Sequence, residues 1–308
     1  MVFENNELFI VLVNWNKAQL TINCIESINN STFSDYKIVV IDNNSQDNSV
    51  ELLDKCKFNF HMIKSSENLG YTGGNNLGIK YALLNKCKYI LLLNNDTLID
   101  KYALENLLNS LKSDQEVGIV QPKIYFHPEV TKIWSGPTKF NKIFLKPRLI
   151  GYGSFDSDLI NQKHFLDYAV GCATVIKSEV FNEIGLLDDD YFAVCEDVDF
   201  GIRARMKGYK ILYNPKAIIY HLESASAGGS DNPNYIYYQT RSYLILFSKW
   251  KTNWVHFLIA FLVYLSSNIF RFVKLILHGN YKGGIAIFLG FRDFFSHKYG
   301  KRKHKILF

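Results

Sequence analysis

Carboxylates and one histidine, each set at the end of an apolar run, are the residues of this sequence best placed to do chemistry. Asp42 opens Asp42-Asn43-Asn44-Ser45 directly after the run at 36–41, and Asp96 lies in Asn94-Asn95-Asp96-Thr97 directly after the run at 89–93. Six carboxylates fall between Asp188 and Asp199, among them the adjacent Glu196 and Asp197, and His221 ends the run at 217–220 ahead of the small, polar stretch 223–230. A carboxylate in a cleft can take a proton as a general base. A carboxylate and a neutral imidazole can hold a divalent cation. Each also has a plainer use. Acidic residues in a first helical turn are favoured by the helix dipole whatever the function, and at helical spacing Glu196, Asp199 and Arg203 share a face while Asp197 points elsewhere. Ser45 and Asp47 suit turns and N-caps, and most solitary histidines are structural.

The elements that must position these residues follow from periodicity. Residues 8–13, 36–41 and 89–93 are short apolar runs, which predict buried strands of a parallel sheet. Between them, 20–28, 49–56 and 75–84 have helical spacing, so βαβ units and a doubly wound α/β sheet are expected. Ligands of such sheets bind beyond the carboxyl ends of the strands, where this chain places Asn14-Trp15-Asn16 and the clusters holding Asp42 and Asp96. Residues 67–78, ENLGYTGGNNLG, put Gly70, Gly73, Gly74 and Gly78 ahead of a predicted helix. They match neither Walker A nor GxGxxG and lack a phosphate-binding lysine. Such a loop either lets backbone approach an anion, for instance a diphosphate, or packs tightly. Short strands and loops are predicted beyond Pro122, 136–162 carries little helical signal, 165–177 reads as one strand, and Ser178 reads as the N-cap of a helix reaching residue 184.

The chain has 308 residues, 48% of them hydrophobic and 21% charged, which suits one large domain or two smaller ones. Its formal charge of +6 averages two unlike segments: residues 1–240 carry 23 Lys/Arg against 28 Asp/Glu, whereas 241–308 carry 12 against one, with 16 of the 46 aromatics. The second segment suits an anionic partner, a bilayer or a nucleic acid. The acidic first segment has no RRM, KH or zinc pattern, which argues against nucleic acid. Cys24, Cys56, Cys87, Cys172 and Cys195 form no CxxC or Cys/His cluster, so reduced thiols are expected rather than a disulfide framework or structural zinc. The start, MVFENNELFIVLVNWNK, has acidic residues before its apolar run and no cleavage site, so no signal peptide is expected.

Five stretches together carry a resemblance: VLVNWNKAQLTINCIESI, YKIVVIDNNSQDNS, ENLGYTGGNNLGIKYAL, YILLLNNDTLI and GCATVIKSEVFNEIGLLDDDYFAVCEDVDFGIRARMKGYKI. In this order, over roughly residues 8–221, the chain resembles the family 2 glycosyltransferases, and most of all the rhamnosyltransferase-like members that build bacterial cell-surface polysaccharides. The resemblance implies a GT-A fold in residues 1–234, a Rossmann-like, mostly parallel sheet flanked by helices, followed by a C-terminal helical, membrane-associating region at 235–308. It implies inverting transfer of a sugar from a nucleotide-sugar donor to a hydroxyl of a lipid-linked or growing cell-surface glycan. dTDP-rhamnose is the first expected donor, and a UDP-hexose or UDP-galactofuranose the second. By position, Asp42 would contact the donor's pyrimidine, and Asn14, Asn68, Gly70, Asn75, Asn95 and Asp96 would complete the donor-binding set. Asp96 and His221 would hold a divalent metal, Mg2+ or Mn2+, and Asp197 would be the catalytic base with Glu196 in support. The family's metal motif is usually Asp-x-Asp, and here its first position is Asn94. The alternatives are an inactive nucleotide-sugar-binding protein, disfavoured by intact Asp96, Asp197 and His221, and a dinucleotide oxidoreductase, disfavoured by the missing GxGxxG.

Residues 235–250 predict an amphipathic helix carrying Arg241. The apolar stretch 254–270 is interrupted by His256, Ser266, Ser267 and Asn268 and falls short of the about 20 residues of a span. A second run covers 283–295, and Lys298, Lys301, Arg302, Lys303 and Lys305 follow. Interleaved aromatics and cations predict helices lying in the interface of an anionic bilayer. A cytoplasmic protein peripheral to the inner face of the cytoplasmic membrane is therefore expected, with a true span, or a homodimer or packing module built from these helices, as the alternatives. Deleting residues 251–308 is expected to release the protein from membranes more than it damages donor binding.

Overall fold

The computed structural model describes residues 7–222, 229 and 231–302. Glu4, Glu223 to Ser230 apart from Gly229, and Lys303 and Lys305 lie outside them, whereas Glu7 is described and pairs with Lys112 at 3.0 Å. The first third of the chain alternates β1 (Leu8–Asn14), α1 (Ala18–Asn29), β2 (Tyr36–Asp42), α2 (Ser49–Asp54), β3 (His61–Lys64), α3 (Gly70–Leu84) and β4 (Tyr89–Asn94). These four strands pair in parallel in the order β4-β1-β2-β3. Ile10, Val11, Val39, Val40, Ile90 and Leu91 are fully buried, as expected where helices cover both faces of a sheet and its strands become continuous apolar runs. Register then aligns the polar residues that end each run: Asn14 stands opposite Asp42, and Val13 opposite Asn94.

The glycine-rich segment is not a loop ahead of a helix. It forms the first turns of α3, which begins at Gly70, five residues earlier than the apolar spacing predicted. Packing explains the glycines. A Cβ on Gly74 would meet Val13 Cγ1 at 2.8 Å, and one on Gly78 would collide with Val11. Two small residues one turn apart thus let the helix lie directly on β1.

The chain continues through β5 (Thr97–Ile99), α4 (Ala103–Ser113), β6 (Val117–Phe126), β7 (Ile133–Ser135), β8 (Thr138–Asn141), β9 (Lys146–Leu149), β10 (His164–Phe165), β11 (Ala173–Lys177), α5 (Ser178–Ile184), α6 (Glu196–Met206) and β12 (Lys210–His221). Here the sheet turns mixed. β11 runs antiparallel between β4 and β6, while β12 is parallel to β6. β6 passes straight through Pro122 as one ten-residue strand, where only short strands and loops were expected beyond it; the β6–β12 register shifts between Asn214 and Ile218, beside the one β6 residue that has no N–H to give.

The single strand expected over 165–177 is two, β10 and β11, with irregular chain between. Side chains take the backbone groups there instead of a ladder: Thr138 Oγ1 donates to the Tyr168 carbonyl, Gln121 Oε1 accepts from Val170 N, and Asp197 accepts from Gly171 N. Ser178 is the first residue of α5 rather than its cap, and its hydroxyl lies 3.3 Å from Cys87 Sγ. All five cysteines are unpaired.

Three helices close the described chain: α7 (Pro233–Trp250), α8 (Trp254–Leu277) and α9 (Tyr281–Phe295). Asn232, Asn253 and Asn280 cap them through side-chain oxygens that accept from Asn234, His256 and Gly283 N–H groups. At 24 residues α8 is longer than its apolar stretch, continuing through Arg271 and Lys274, and by length and composition it could cross a membrane. Phe257, Ala260, Asn268 and Leu275 face the protein, while Trp254, Leu258, Leu262, Phe270 and Leu277 are exposed.

This region is tied to the rest of the chain by polar as well as apolar contacts. Arg241, fully buried on α7, donates from Nη2 to the carbonyls of Gly300 (2.7 Å), Tyr191 (3.3 Å) and Asp190 (3.4 Å), and from Nη1 to the Lys298 carbonyl and the Tyr237 hydroxyl. Lys249 and Trp250 both reach the buried Asp199 on α6, at 2.7 and 3.0 Å, and Lys301 pairs with Glu67 at 2.8 Å. Removing 251–308 would strand part of a buried guanidinium and cut the tie to Glu67, beside α3. We therefore expect that truncation to lower Tm in a thermal melt, and an unchanged Tm would contradict this tie between the two regions.

Candidate active site

At the carboxyl edge of the sheet a buried chain of hydrogen bonds joins three of the expected donor residues. Asn14 donates from Nδ2 to Asp42 Oδ1 (3.0 Å) and Ser45 Oγ (3.1 Å), and its Oδ1 accepts from Thr21 Oγ1 at 2.7 Å. Asn95 Nδ2 donates to the same threonine at 2.9 Å. Ser45 also binds Asp42 through its hydroxyl and its N–H. Asp47 does the turn work expected of it, accepting from Ser49 N and Lys17 N. Asn14 thus braces Asp42 directly, and Asn95 holds Asn14 through Thr21, because buried amides need partners for both ends.

Asn68 and Gly70 lie together at the start of α3. Asn68 Oδ1 accepts from Gly70 N at 2.8 Å, and Asn43 crosses from β2 to bind the Gly70 carbonyl and the Leu69 N–H. Gly70 has φ +73°, and a Cβ there would collide with the Phe192 carbonyl. Only glycine suits the position. Asn75 turns back into its own helix, with Nδ2 on the Tyr71 carbonyl. Its neighbour Asn76 makes the long-range link, binding the Leu187 backbone and Asp189 Oδ1.

Asp96 and His221 meet because β5 pairs with the end of β12. Leu222 N donates to the Asp96 carbonyl, and His221 Nε2 lies 3.2 Å from Asp96 Oδ1. Both side chains are buried, and Trp134 packs edge-on against the imidazole at 4.5 Å. Among the buried atoms here without a hydrogen-bond partner among the described residues are His221 Nδ1, Trp134 Nε1, and Asn94 Oδ1 at the end of β4. A hard oxygen donor beside an imidazole fits a divalent cation. No group of three or more His, Cys, Asp or Glu suited to a metal exists among the described residues, so these two side chains suit a cation whose other positions are filled by substrate oxygens and water.

The acidic pair starts α6. Asp197, half-buried, accepts from Gly171 N on Oδ2 at 2.9 Å and from Val198 N on Oδ1 at 2.8 Å. Glu196 is 5% exposed and its Oε2 has no partner among the described residues. Burial, and then the charge of Asp197, push Glu196 well above the usual carboxylate range; burial also raises Asp197, but the two N–H groups oppose the rise. Asp197 is therefore the first of the pair to ionise, leaving Glu196 as the neutral acid. Asp199 and Arg203 share a face as expected and pair at 2.8 Å.

A buried carboxyl raised in the folded state costs stability as pH climbs from its unfolded pKa toward its folded one, whereas an amide of the same shape does not titrate. Glu196→Gln should therefore raise Tm, by about 2 °C per kcal/mol recovered in a chain of this size, with a larger gain at pH 8.5 than at pH 5.5. An equal gain at both values would contradict the assignment.

Two hydrogen bonds link the strand end before Asp96 to the acidic pair. Asn94 N donates to the Cys172 carbonyl at 2.8 Å, and the residue before Cys172 holds Asp197. Tyr71, Gly171, Asn43 and Asn76 were not singled out from sequence, although all but Gly171 lie in or beside the polar clusters; only the long-range partners reveal their work.

Solved structures of glycosyltransferases share this architecture. GalNAc-T7 with UDP, GalNAc and Mn2+ aligns at a TM-score of 0.61 over 80% of this chain and 48% of its own, at 15% identity. The mannosyltransferase PcManGT from Pyrobaculum calidifontis, in complex with GDP-Man and Mn2+, aligns at 0.59 over 96% and 89%, at 12% identity. The fold is GT-A. The model of glycosyl transferase family 2 matches residues 9–185, and the chain belongs to that family. It is 32% identical over 216 residues to the low-salt glycan biosynthesis hexosyltransferase Agl10 of Haloferax volcanii, covering 67% of this chain and 64% of that protein. It is 26% identical over 236 residues to a poly-beta-1,6-N-acetyl-D-glucosamine synthase of Staphylococcus aureus, covering 74% and 53%. The chain thus spans between half and two thirds of the length of these relatives.

Proposed function

We propose that this protein is an inverting, divalent-metal-dependent glycosyltransferase that moves a sugar from a nucleotide sugar to a hydroxyl of a lipid-linked or growing cell-surface glycan. The observation that carries the reading is the juxtaposition of a half-buried, ionisable Asp197 with Asp96 and His221 through the Asn94–Cys172 and Gly171–Asp197 bonds. Asp42, braced by Asn14 and Ser45, receives the base of the donor, and the start of α3 from Asn68 borders its diphosphate. Asp96 and His221 hold Mg2+ or Mn2+, which when bound neutralises charge on the leaving nucleoside diphosphate. Asp197 accepts the proton of the acceptor hydroxyl as that oxygen attacks the anomeric carbon. Glu196, neutral beside it, leaves the negative charge of the pair on Asp197.

The donor we infer is a nucleoside-diphosphate hexose. dTDP-rhamnose comes first from the rhamnosyltransferase-like stretches, and a UDP-hexose is the second reading, favoured by the description of the Haloferax relative as a hexosyltransferase. Hydrolysis and binding across dTDP-, UDP- and GDP-sugars decide between them: turnover of dTDP-rhamnose alone supports the first, turnover of UDP-hexoses alone the second, and turnover of none contradicts both.

The catalytic part is residues 1–234, and 235–308 attaches it to the inner face of the cytoplasmic membrane. On the apolar side of α8, Trp254 is 72% and Phe270 75% exposed. With Lys251, Arg271 and Lys274 along the same segment, that side supports interfacial seating. Carbonate at high pH is expected to strip the protein from membranes; retention in the pellet would instead mark α8 as a span.

A further inference from the structure

We propose that Tyr71 is the positioning residue of the base: by holding Gly171 in place it fixes the N–H that aims Asp197, and so joins the donor-side helix to the acceptor-side carboxylate. The proposal rests on the reading of Asp197 as general base. Tyr71 is the second residue of α3, and its hydroxyl donates to the Gly171 carbonyl. The N–H of that same glycine donates to Asp197 Oδ2 at 2.9 Å. The other N–H on Asp197 belongs to Val198 in its own helix, so Gly171 supplies the bond that fixes the carboxylate against a different element.

The glycine at 171 is what makes room for this contact. A Cβ there would stand 2.8 Å from Tyr71 Oη and 3.2 Å from Cζ, so the phenol occupies the space a side chain would take. Tyr71, Gly171, Glu196 and Asp197 line one small, partly open pocket of about 20 Å³, room for a single water at most. Burial above all, with the charge of Asp197 added, keeps the phenol protonated and so a donor. The ionisable groups facing Asp197 are Glu196 and Cys195 from its own segment, Tyr71 from α3 and Tyr168 from the chain before β11. None of these is a cation, which leaves the backbone N–H groups to stabilise the anion.

At its other end Tyr71 sits between Gly70 and Thr72, whose N–H binds the Phe192 carbonyl. A nucleotide sugar seated on Asn68 and Gly70 would thus press on the element that aims the base.

The test is Tyr71→Phe, which keeps the ring and removes the hydroxyl, assayed on the nucleotide sugar of the panel that turns over fastest. A positioning role gives a fall in kcat of about 10- to 100-fold, an unchanged donor KM, and an acid limb of the pH–rate profile displaced to higher pH as Gly171 loosens its hold on the anion. Gly171→Ala should do the same, and adding it to Tyr71→Phe should cost less than adding it to the native chain, because the hydroxyl the new Cβ meets is gone. A Tyr71→Phe protein with native kcat and an unmoved acid limb overturns the proposal. So does one that only loses Tm or donor affinity, the signature of packing alone. Asp197→Asn run alongside separates the two ideas: if it stays active the base assignment has failed, and if it is dead while Tyr71→Phe is native, only the positioning role has.

Discussion

Asp197→Asn is expected to lower kcat by about 10³-fold, within the range general-base catalysis supplies, while nucleotide binding stays near native. The substitution keeps the shape and the acceptor oxygen for Gly171 N, held at 2.9 Å in the native protein. It removes the lone group of the acidic pair that ionises readily, since Glu196 is held neutral by burial and by its neighbour. Asp197 is remote from the Asp42–Asn14–Ser45 cluster in the hydrogen-bond pattern, so UDP or dTDP affinity in titration calorimetry should change little. Retained turnover would remove Asp197 from the mechanism. A variant that loses nucleotide binding and turnover together would point to a structural role for the carboxylate at the start of α6.

The second large effect concerns Asp96 and His221. Chelation by EDTA is expected to abolish turnover, restored by adding back Mn2+ or Mg2+, and Asp96→Ala should lose about 10³-fold that no added metal restores. The donor set explains the severity. With His221 as the one other side chain at 3.2 Å, a cation held there would have no third His, Cys, Asp or Glu to fall back on among the described residues. His221→Ala should be milder and should raise the metal concentration needed for half-maximal turnover. Turnover untouched by EDTA would show that the pair is an ordinary buried histidine–carboxylate contact.

Much of this site could be read from residue order because parallel strands carry their functional residues at one end. Once 8–13, 36–41 and 89–93 are strands, Asn14, Asp42 and Asn94 must share an edge, and pairing across β1 puts them there. Asp96 and His221 were harder to join, since they lie far apart in the chain and only the β5–β12 antiparallel pairing closes the gap. The glycines of α3 misled because Gly lowers helix propensity, while the structure uses Gly74 and Gly78 to bring the helix against Val11 and Val13. Tyr71 and Gly171 carried no local signal at all: a tyrosine and a glycine 100 residues apart become a pair only when α3 and the chain before β11 meet. Charge arithmetic separated the basic tail correctly as a composition, but it could not show that Arg241, Lys249 and Lys301 spend their charge on the backbone and carboxylates around Asp188–Asp199 and on Glu67.

Product stereochemistry tests the central claim most directly. A nucleotide sugar of defined anomeric configuration, turned over by the 308-residue chain and followed by proton NMR in the first minutes, reports on which face the acceptor oxygen attacked. With Asp197 as base in a single displacement, the product should carry the opposite anomeric configuration from the donor. A product that keeps the donor configuration would require two displacements or a front-face attack and would contradict the mechanism.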